Sequence, residues 1–394
     1  MPTYEKHSIL DVTPETLFAW HVRPGAFERL APPWEHLRVL SRYGGIADGG
    51  RLTMEIRRGR LKIRWEALHR GFIEGVQFQD VQVAGPFKRW VHTHKVAPAP
   101  EGRAELIDEV DYALPLGPFG AIAGGLMARR LMDRTFSFRH RRIAIDLARH
   151  RDIGRGRRLR LVLTGRAGFV LTQLAAFLST GGHLVHVFPT SEDGPGGPAH
   201  SAWGPTAVPD LAALEQADAV IHIGLDALQS LLVSLDERRS RAHTVAALPA
   251  TAAANQPEAN TSDLAALVSS TARRVIVPLT PGVLTAAAPL DGVAPPEAVT
   301  PFVDGPLVGL DDLIGATYFA ICDDAVRGFV DVTLPRAGET AALAPQVARR
   351  SPEVRVLQLR SPQGLPAPRL TEYGFEPTNA TLADTINAEM GWPP

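Results

Sequence analysis

The sequence predicts two domains in series. The first is an α+β domain whose antiparallel meander is closed by a long C-terminal helix. The second is an α/β domain with a mostly parallel sheet. Three observations predict this. Between residues 51 and 114, five short runs alternate apolar and polar side chains and are separated by Gly, Pro or charged turns. Apolar residues at Leu131, Phe136, Phe138, Ile143 and Leu147 are then spaced so that one helical face can cover a curved sheet. Finally, Leu161–Thr190 reads as an apolar run, a glycine turn, an apolar helix, a Gly181-Gly182 stop and a second apolar run, which is a βαβ unit. The expected boundaries are 1–150 for the first domain, a basic linker at 151–159, and 160–394 for the second.

The elements follow in order. Residues 3–10 alternate as a first strand. Thr13 and Pro14 start a helix to about His21, because a hydroxyl cap followed by proline suits a helix N-terminus. A short helix over Gly25–Leu30 stops at Pro32-Pro33, beside Trp34, and a strand ends near Leu40. The meander is Arg51–Arg57, Leu61–Leu68, Val76–Val83, Lys88–Val96 and Ala104–Leu114. A glycine-rich hinge at Gly117–Gly125 leads to the helix over Leu126–His150.

In the second half, Gly194–Gly204 reads as a loop, Asp210–Gln216 as a helix and Ala219–Ile223 as a buried strand. Ala246–Asn260, rich in Ala, Pro and Asn, reads as a loose surface loop. Val275–Val277 is a strand. Gly305–Asp324 feeds a helix whose first turn carries Asp311 and Asp312, where carboxylates suit the helix dipole. Gly328–Leu334 is a strand, and Gly338–Arg349 and Leu382–Met390 are helices.

Composition narrows the class. Residues 1–150 hold 23 Lys and Arg against 17 Asp and Glu, a net +6, and residues 151–394 hold 18 against 25, a net −7. A surplus of that size over 150 residues is a weak nucleic-acid signal, so no nucleic-acid partner is expected. No apolar run is long enough for a membrane span, and the N-terminus lacks the pattern of a signal peptide. The expected location is cytoplasmic. The single cysteine, Cys322, excludes an intrachain disulfide and a cysteine-cluster metal site.

The phrases RPGAFERLAPPW (Arg23–Trp34), GPFKRWVHTH (Gly85–His94) and FRHRR (Phe138–Arg142), with the order of elements around them, resemble the helix-grip superfamily (START-like, SRPBCC, cyclase/dehydrase) over residues 1–150. The resemblance implies a cavity between sheet and long helix that takes an apolar small molecule or a lipid. Within the meander, Trp90, His92 and His94 share one strand face, as do Trp65 and His69. The expected ligand cavity is Trp65, His69, Phe78, Trp90, His92 and His94. The histidines read first as structural hydrogen-bonders and second as polar contacts of a ligand. A metal set of His92, His94 and Asp80 or His69 stands behind both, and no metal is assigned. The basic run Arg139–Arg142 reads as a solvated face pairing with carboxylates such as Asp108 and Asp111, or docking the acidic second domain.

The phrases TGRAGF (Thr164–Phe169), LEQADAVIHI (Leu214–Ile223), VGLDDLIGATYFAI (Val308–Ile321) and LTEYGFEPTNATLADTI (Leu370–Ile386) resemble the extended short-chain dehydrogenase/reductases, in their epimerase-like subgroup. The resemblance implies a Rossmann-like fold and NAD or NADP as cofactor, held around Gly165, Gly168, Phe169, Glu192, Asp193 and Gly224. It also implies a homodimer, as such domains often pair through helices flanking the sheet. Two departures weaken the catalytic implication. Leu171 stands where the fingerprint has its third glycine. The family's Y-x-x-x-K acid/base pair is missing, since the residues four after the five tyrosines are Ser8, Ala47, Leu116, Cys322 and Pro377, and no lysine follows Lys95.

The sequence therefore favours an apolar-ligand-binding domain joined to a catalytically degenerate domain acting as scaffold or nucleotide sensor. Two alternatives are carried. One is an active NAD(P)-dependent epimerase or reductase using an acid such as His222 or Asp226. The other is a purely structural or interaction protein.

Overall fold

The computed structural model describes residues 3–58, 60–115, 117–166, 168–189, 211–249, 261–280, 282–285, 299–301, 308–333, 355–358, 365, 367–379 and 381–391. The chain divides into two compact units, with the division falling between Ala148 and Arg149.

The first unit runs β1 (Thr3–Leu10), α1 (Pro14–Val22), α2 (Ala26–Leu30), β2 (His36–Tyr43), β3 (Arg51–Arg58), β4 (Leu61–Ile73), β5 (Gln77–Ala84), β6 (Arg89–Pro98), β7 (Ala104–Ala113) and α3 (Gly117–Asp152). Its seven strands form one antiparallel sheet in the order β1-β7-β6-β5-β4-β3-β2. This is the antiparallel meander followed by a long helix that the alternating runs predict. Thr13 caps α1 by accepting the Thr16 N–H at 3.3 Å, with Pro14 in the first turn. Burial along β7 alternates strictly, with Ala104, Leu106, Asp108, Val110 and Tyr112 inward. Ile143 and Leu147 of α3 pack with Leu10, Phe78 and Leu106 in one core cluster. Further along α3, Phe136 stacks on Tyr4 at 5.3 Å.

Three expectations need correcting here. The segment read as a glycine-rich hinge is the start of α3, which begins at Gly117. A Cβ at Gly124 would lie 3.3 Å from Leu114 Cδ1. Strand β4 continues to Ile73, well past Leu68. The basic run is not a solvated face. His140 and Arg142 are buried, Arg142 lies over the Phe138 ring at 4.7 Å, and Arg139 Nε donates to Leu30 O at 3.2 Å. A buried pair also ties α2 to α3. Arg29 donates from Nε and Nη2 to both oxygens of Asp146, at 2.8 and 2.6 Å, with both side chains fully buried.

The second unit runs β8 (Arg160–Gly165), α4 (Phe169–Thr180), β9 (Leu184–Pro189), α5 (Leu211–Gln216), β10 (Ala219–Ile223), α6 (Leu228–Glu237), β11 (Thr244–Leu248), α7 (Thr261–Ser270), β12 (Arg274–Leu279), β13 (Gly282–Thr285), β14 (Val299–Pro301), β15 (Val308–Gly309), α8 (Leu310–Cys322), β16 (Gly328–Asp331), β17 (Arg355–Gln358) and α9 (Leu382–Met390). Six strands form a parallel sheet in the order β16-β12-β11-β10-β8-β9. Four short strands form a second sheet, β14-β17-β13-β15. Residues 246–248, expected in a surface loop, belong to the fully buried β11. A parallel strand buried on both faces has no alternation to read, and this one is built from small side chains. The expected loop at 194–204, the helix at 338–349 and residues 250–260 lie outside the described residues.

At the start of α8 the two acidic residues do different work. Asp312 accepts Arg149 Nη2 at 2.6 Å and the Thr378 N–H at 2.8 Å, while the Asp311 carbonyl accepts Arg149 Nη1. Within this unit His183 Nδ1 accepts the Leu159 N–H at 3.1 Å, which leaves its Nε2–H to donate to Tyr318 Oη at 2.9 Å. Among the described residues, no helix is long and apolar enough to cross a membrane.

Candidate functional site

The meander brings inward-facing polar residues of four adjacent strands into one array. His69 on β4 is opposite Asp80 on β5, Asp80 is opposite His92 on β6, and His94 is opposite Asp108 on β7. Alternation places all five on the face that α3 covers, and α3 adds His140. Asp80 Oδ2 lies 3.3 Å from His94 Nε2 and 3.8 Å from His92 Nδ1. Asp80 Oδ1 lies 2.7 Å from His69 Nε2, a short contact that is off the hydrogen-bond line. Asp108 serves the other side of the same two rings. Its Oδ1 accepts the His92 Nε2–H at 3.0 Å and lies 2.7 Å from His94 Nδ1. Asp108 Oδ2 accepts His140 Nε2–H at 2.9 Å, and His140 Nδ1 is 2.8 Å from Ser8 Oγ.

The electrostatics follow from burial and these contacts. Burial works to raise both carboxyls, but the surrounding imidazoles outweigh it. His69 and His94 hold Asp80 well below the usual carboxylate range, and His94, His140 and His92 do the same for Asp108. Burial works to lower His94, yet its two carboxylates, Asp108 foremost, lift it to about 9. His92 goes the other way, to about 4, through burial and the charge of His94. One imidazolium between two carboxylates is therefore the resting state at neutral pH. Phe78 stacks on His94 with centroids 4.3 Å apart and planes at 16°, giving the cation an aromatic face.

This array forms part of the wall of a cavity of about 650 Å³, a size typical of small-molecule sites. Trp65, His69, Phe78, Trp90, His92 and His94 all line this cavity. Trp65, Phe87 and Trp90 form an aromatic group, with Trp65 edge-on to Trp90 at 5.4 Å. Leu52, Met54, Ile56 and Ile63 supply aliphatic wall. The sequence reading understated Asp80, Asp108 and His140. The signal was there for Asp108, an acid standing in the apolar phase of a strictly alternating strand.

In the second unit, Gly165 ends β8 and pairs in register with Ile223 at the end of β10. Gly165 has φ +92°, and a Cβ there would lie 2.2 Å from the Ile223 carbonyl oxygen. Backbone approach alone therefore requires glycine. Gly168 caps α4, Phe169 opens it, and Gly224 follows β10, its N–H donating to Leu248 O at 2.9 Å. These positions gather at the carboxyl ends of strands where the winding direction changes, since β9 lies on one side of β8 and β10 on the other. Leu171, in the third-glycine position, is buried in α4. Glu192 and Asp193 lie outside the described residues. Tyr318 is buried with its hydroxyl on His183.

No protein-family model matches the sequence, and no curated protein matches it. Among solved structures, the chain is similar to the nucleoside-diphosphate sugar epimerase from Corynebacterium glutamicum, at 21% identity over 98% of this chain and 90% of that one, with a TM-score of 0.67. That likeness establishes a shared fold along the chain. Partial likenesses include a Thermus thermophilus protein (16% identity, 37% of this chain, 97% of that one, TM-score 0.30). A Chromobacterium violaceum protein is another (17%, 36%, 94%, TM-score 0.29).

Proposed function

We propose that the first unit binds an amphiphilic small molecule or lipid, and that the second is a dinucleotide-fold scaffold without the usual proton relay. The observation that carries this reading is the cavity itself, whose apolar walls meet a buried histidine–aspartate array. An apolar body suits the Trp65, Trp90 and aliphatic wall, and a polar end suits His69, Asp80 and His92. The absence of any Y-x-x-x-K pair in the sequence supports the second half of the proposal. Native mass spectrometry of the purified chain, with NAD(H) and NADP(H) titrated separately, tests it. The expected result is a co-purifying amphiphile and no dinucleotide-dependent turnover. Tight NADPH binding with substrate-dependent oxidation overturns it.

A second reading, an active NAD(P)-dependent epimerase, draws on the fold shared with the Corynebacterium epimerase. It also draws on Gly165, Gly168 and Gly224 at the switch point. The same titration separates the two readings.

A further inference from the structure

We infer that Asp80, His92 and His94 form a binding site for a divalent first-row transition-metal ion at the wall of the first unit's cavity. One donor atom from each lies within 4.8 Å of the other two. Asp80 Oδ2 is 3.3 Å from His94 Nε2 and 3.8 Å from His92 Nδ1. Donors at bond lengths of about 2.0–2.1 Å around a tetrahedral ion stand about 3.3 Å apart, so Asp80 and His94 already have this spacing and His92 must move inward to complete the set.

The contacts on the far side of the rings point the same way. Asp108 Oδ1 takes the N–H of His92 Nε2 at 3.0 Å and sits 2.7 Å from His94 Nδ1. A neutral imidazole whose proton is committed to one partner presents a lone pair at its other nitrogen. His92 therefore turns the lone pair of Nδ1 toward Asp80 Oδ2, while His94 Nε2 carries a hydrogen shared with the same oxygen at 3.3 Å, and a bound ion takes that hydrogen's place. Three donor atoms that converge on one point suit a cation, and a carboxylate behind a ligating histidine is the arrangement that fixes tautomer and ring orientation at metal centres. His69 Nε2 lies 2.7 Å from the other oxygen of Asp80, and His140 with Ser8 anchors Asp108. Two histidines and one carboxylate, with no thiolate, suit Zn²⁺ or Fe²⁺. All three ligands line the cavity, so the remaining positions open toward whatever it holds.

These three donors are set by the sheet and not by the cavity's ligand, so the metal alone serves as the probe. The untagged full-length chain is stripped with a chelator and titrated with Zn²⁺, with Co²⁺, and with Fe²⁺ under anaerobic conditions. Elemental analysis and the visible spectrum of Co²⁺ are the readouts. The expected result is one ion per chain, in a low-coordinate nitrogen and oxygen environment. Affinity should fall at least 100-fold in Asp80→Asn and His92→Gln. In Asp108→Asn it should fall about 10- to 100-fold with the Co²⁺ spectrum retained. Uptake of Zn²⁺ or of Fe²⁺ supports the site and names the ion. If a variant does not fold, a rise in the wild-type melting temperature with stoichiometric metal, together with the Co²⁺ spectrum, carries the test. A folded wild-type chain that takes up none of the three ions overturns the inference. So does uptake undiminished in folded Asp80→Asn and His92→Gln, which places the ion elsewhere.

Discussion

Asp108 Oδ1 and His92 Nε2 meet at 3.0 Å in the interior of a sheet, on neighbouring strands β7 and β6. The carboxylate is almost fully buried and also holds His94 and His140. Neutralising it removes the partner of a buried imidazolium, and breaking a buried charge pair costs about 3–5 kcal/mol. Asp108→Asn keeps the shape and one acceptor, so the expected loss falls below that range, at about 2–3 kcal/mol. Urea unfolding at neutral pH measures it.

Arg29 and Asp146 give a cleaner case, because neither is exposed. Either Arg29→Met or Asp146→Asn alone should cost about 3–5 kcal/mol by breaking a buried ion pair. The double replacement Arg29→Met with Asp146→Leu should recover most of that. A double-mutant cycle by denaturant unfolding reads the coupling.

His21 sets a pH dependence. Burial and the charge of His94, with a smaller push from His140, bring it down to about 4 against the opposing pull of Leu17 O and Asp108, compared with about 6.5 for a free imidazole. The folded ring stays neutral where the unfolded one takes a proton. Its contribution is therefore present above about pH 6.5 and is lost as pH falls toward 4, by up to about 3 kcal/mol. Wild type should lose stability over that window, and His21→Leu should lose less. Unfolding midpoints at pH 7 and pH 5 decide it.

Filling the cavity should separate ligand uptake from folding. Ile56 lines the wall and is only partly buried. Ile56→Trp should weaken binding of an apolar fluorescent probe at least tenfold, with a stability change of about 1–2 kcal/mol or less. Fluorescence titration beside thermal melting distinguishes a blocked cavity from a damaged fold.

Gly165→Ala tests whether the glycine turn is kept by backbone geometry. The new Cβ meets Ile223 main-chain atoms at a left-handed φ, and the expected loss is about 3 kcal/mol or more. It should appear without any dinucleotide present. Unchanged stability combined with lost dinucleotide binding would assign the glycine to a cofactor instead.

The sequence alone determined most of the architecture. Alternation in the meander, the βαβ unit at Leu161–Thr190 and the Thr13-Pro14 cap are local signals, and each produced its element. The buried strand Thr244–Leu248 was hidden because a strand covered on both faces loses its period. Residues 117–125 are helical despite their glycines, because helix propensity is a weak local signal that the rest of α3 overrides.

The candidate site divides in the same way. Strand parity put Trp90, His92 and His94 on one face, and that was readable from residue spacing. Which acid each histidine meets was not, because Asp80 and Asp108 arrive from strands β5 and β7 through cross-strand register, and His140 arrives from α3. Pairing across strands fixes those distances, and the carboxylates, acting against burial, then set which imidazole keeps its proton. The sequence by itself specified the side chains and the face they occupy. Only the tertiary structure brought two carboxylates to opposite sides of the same two rings, because that depends on contacts between residues far apart in the chain.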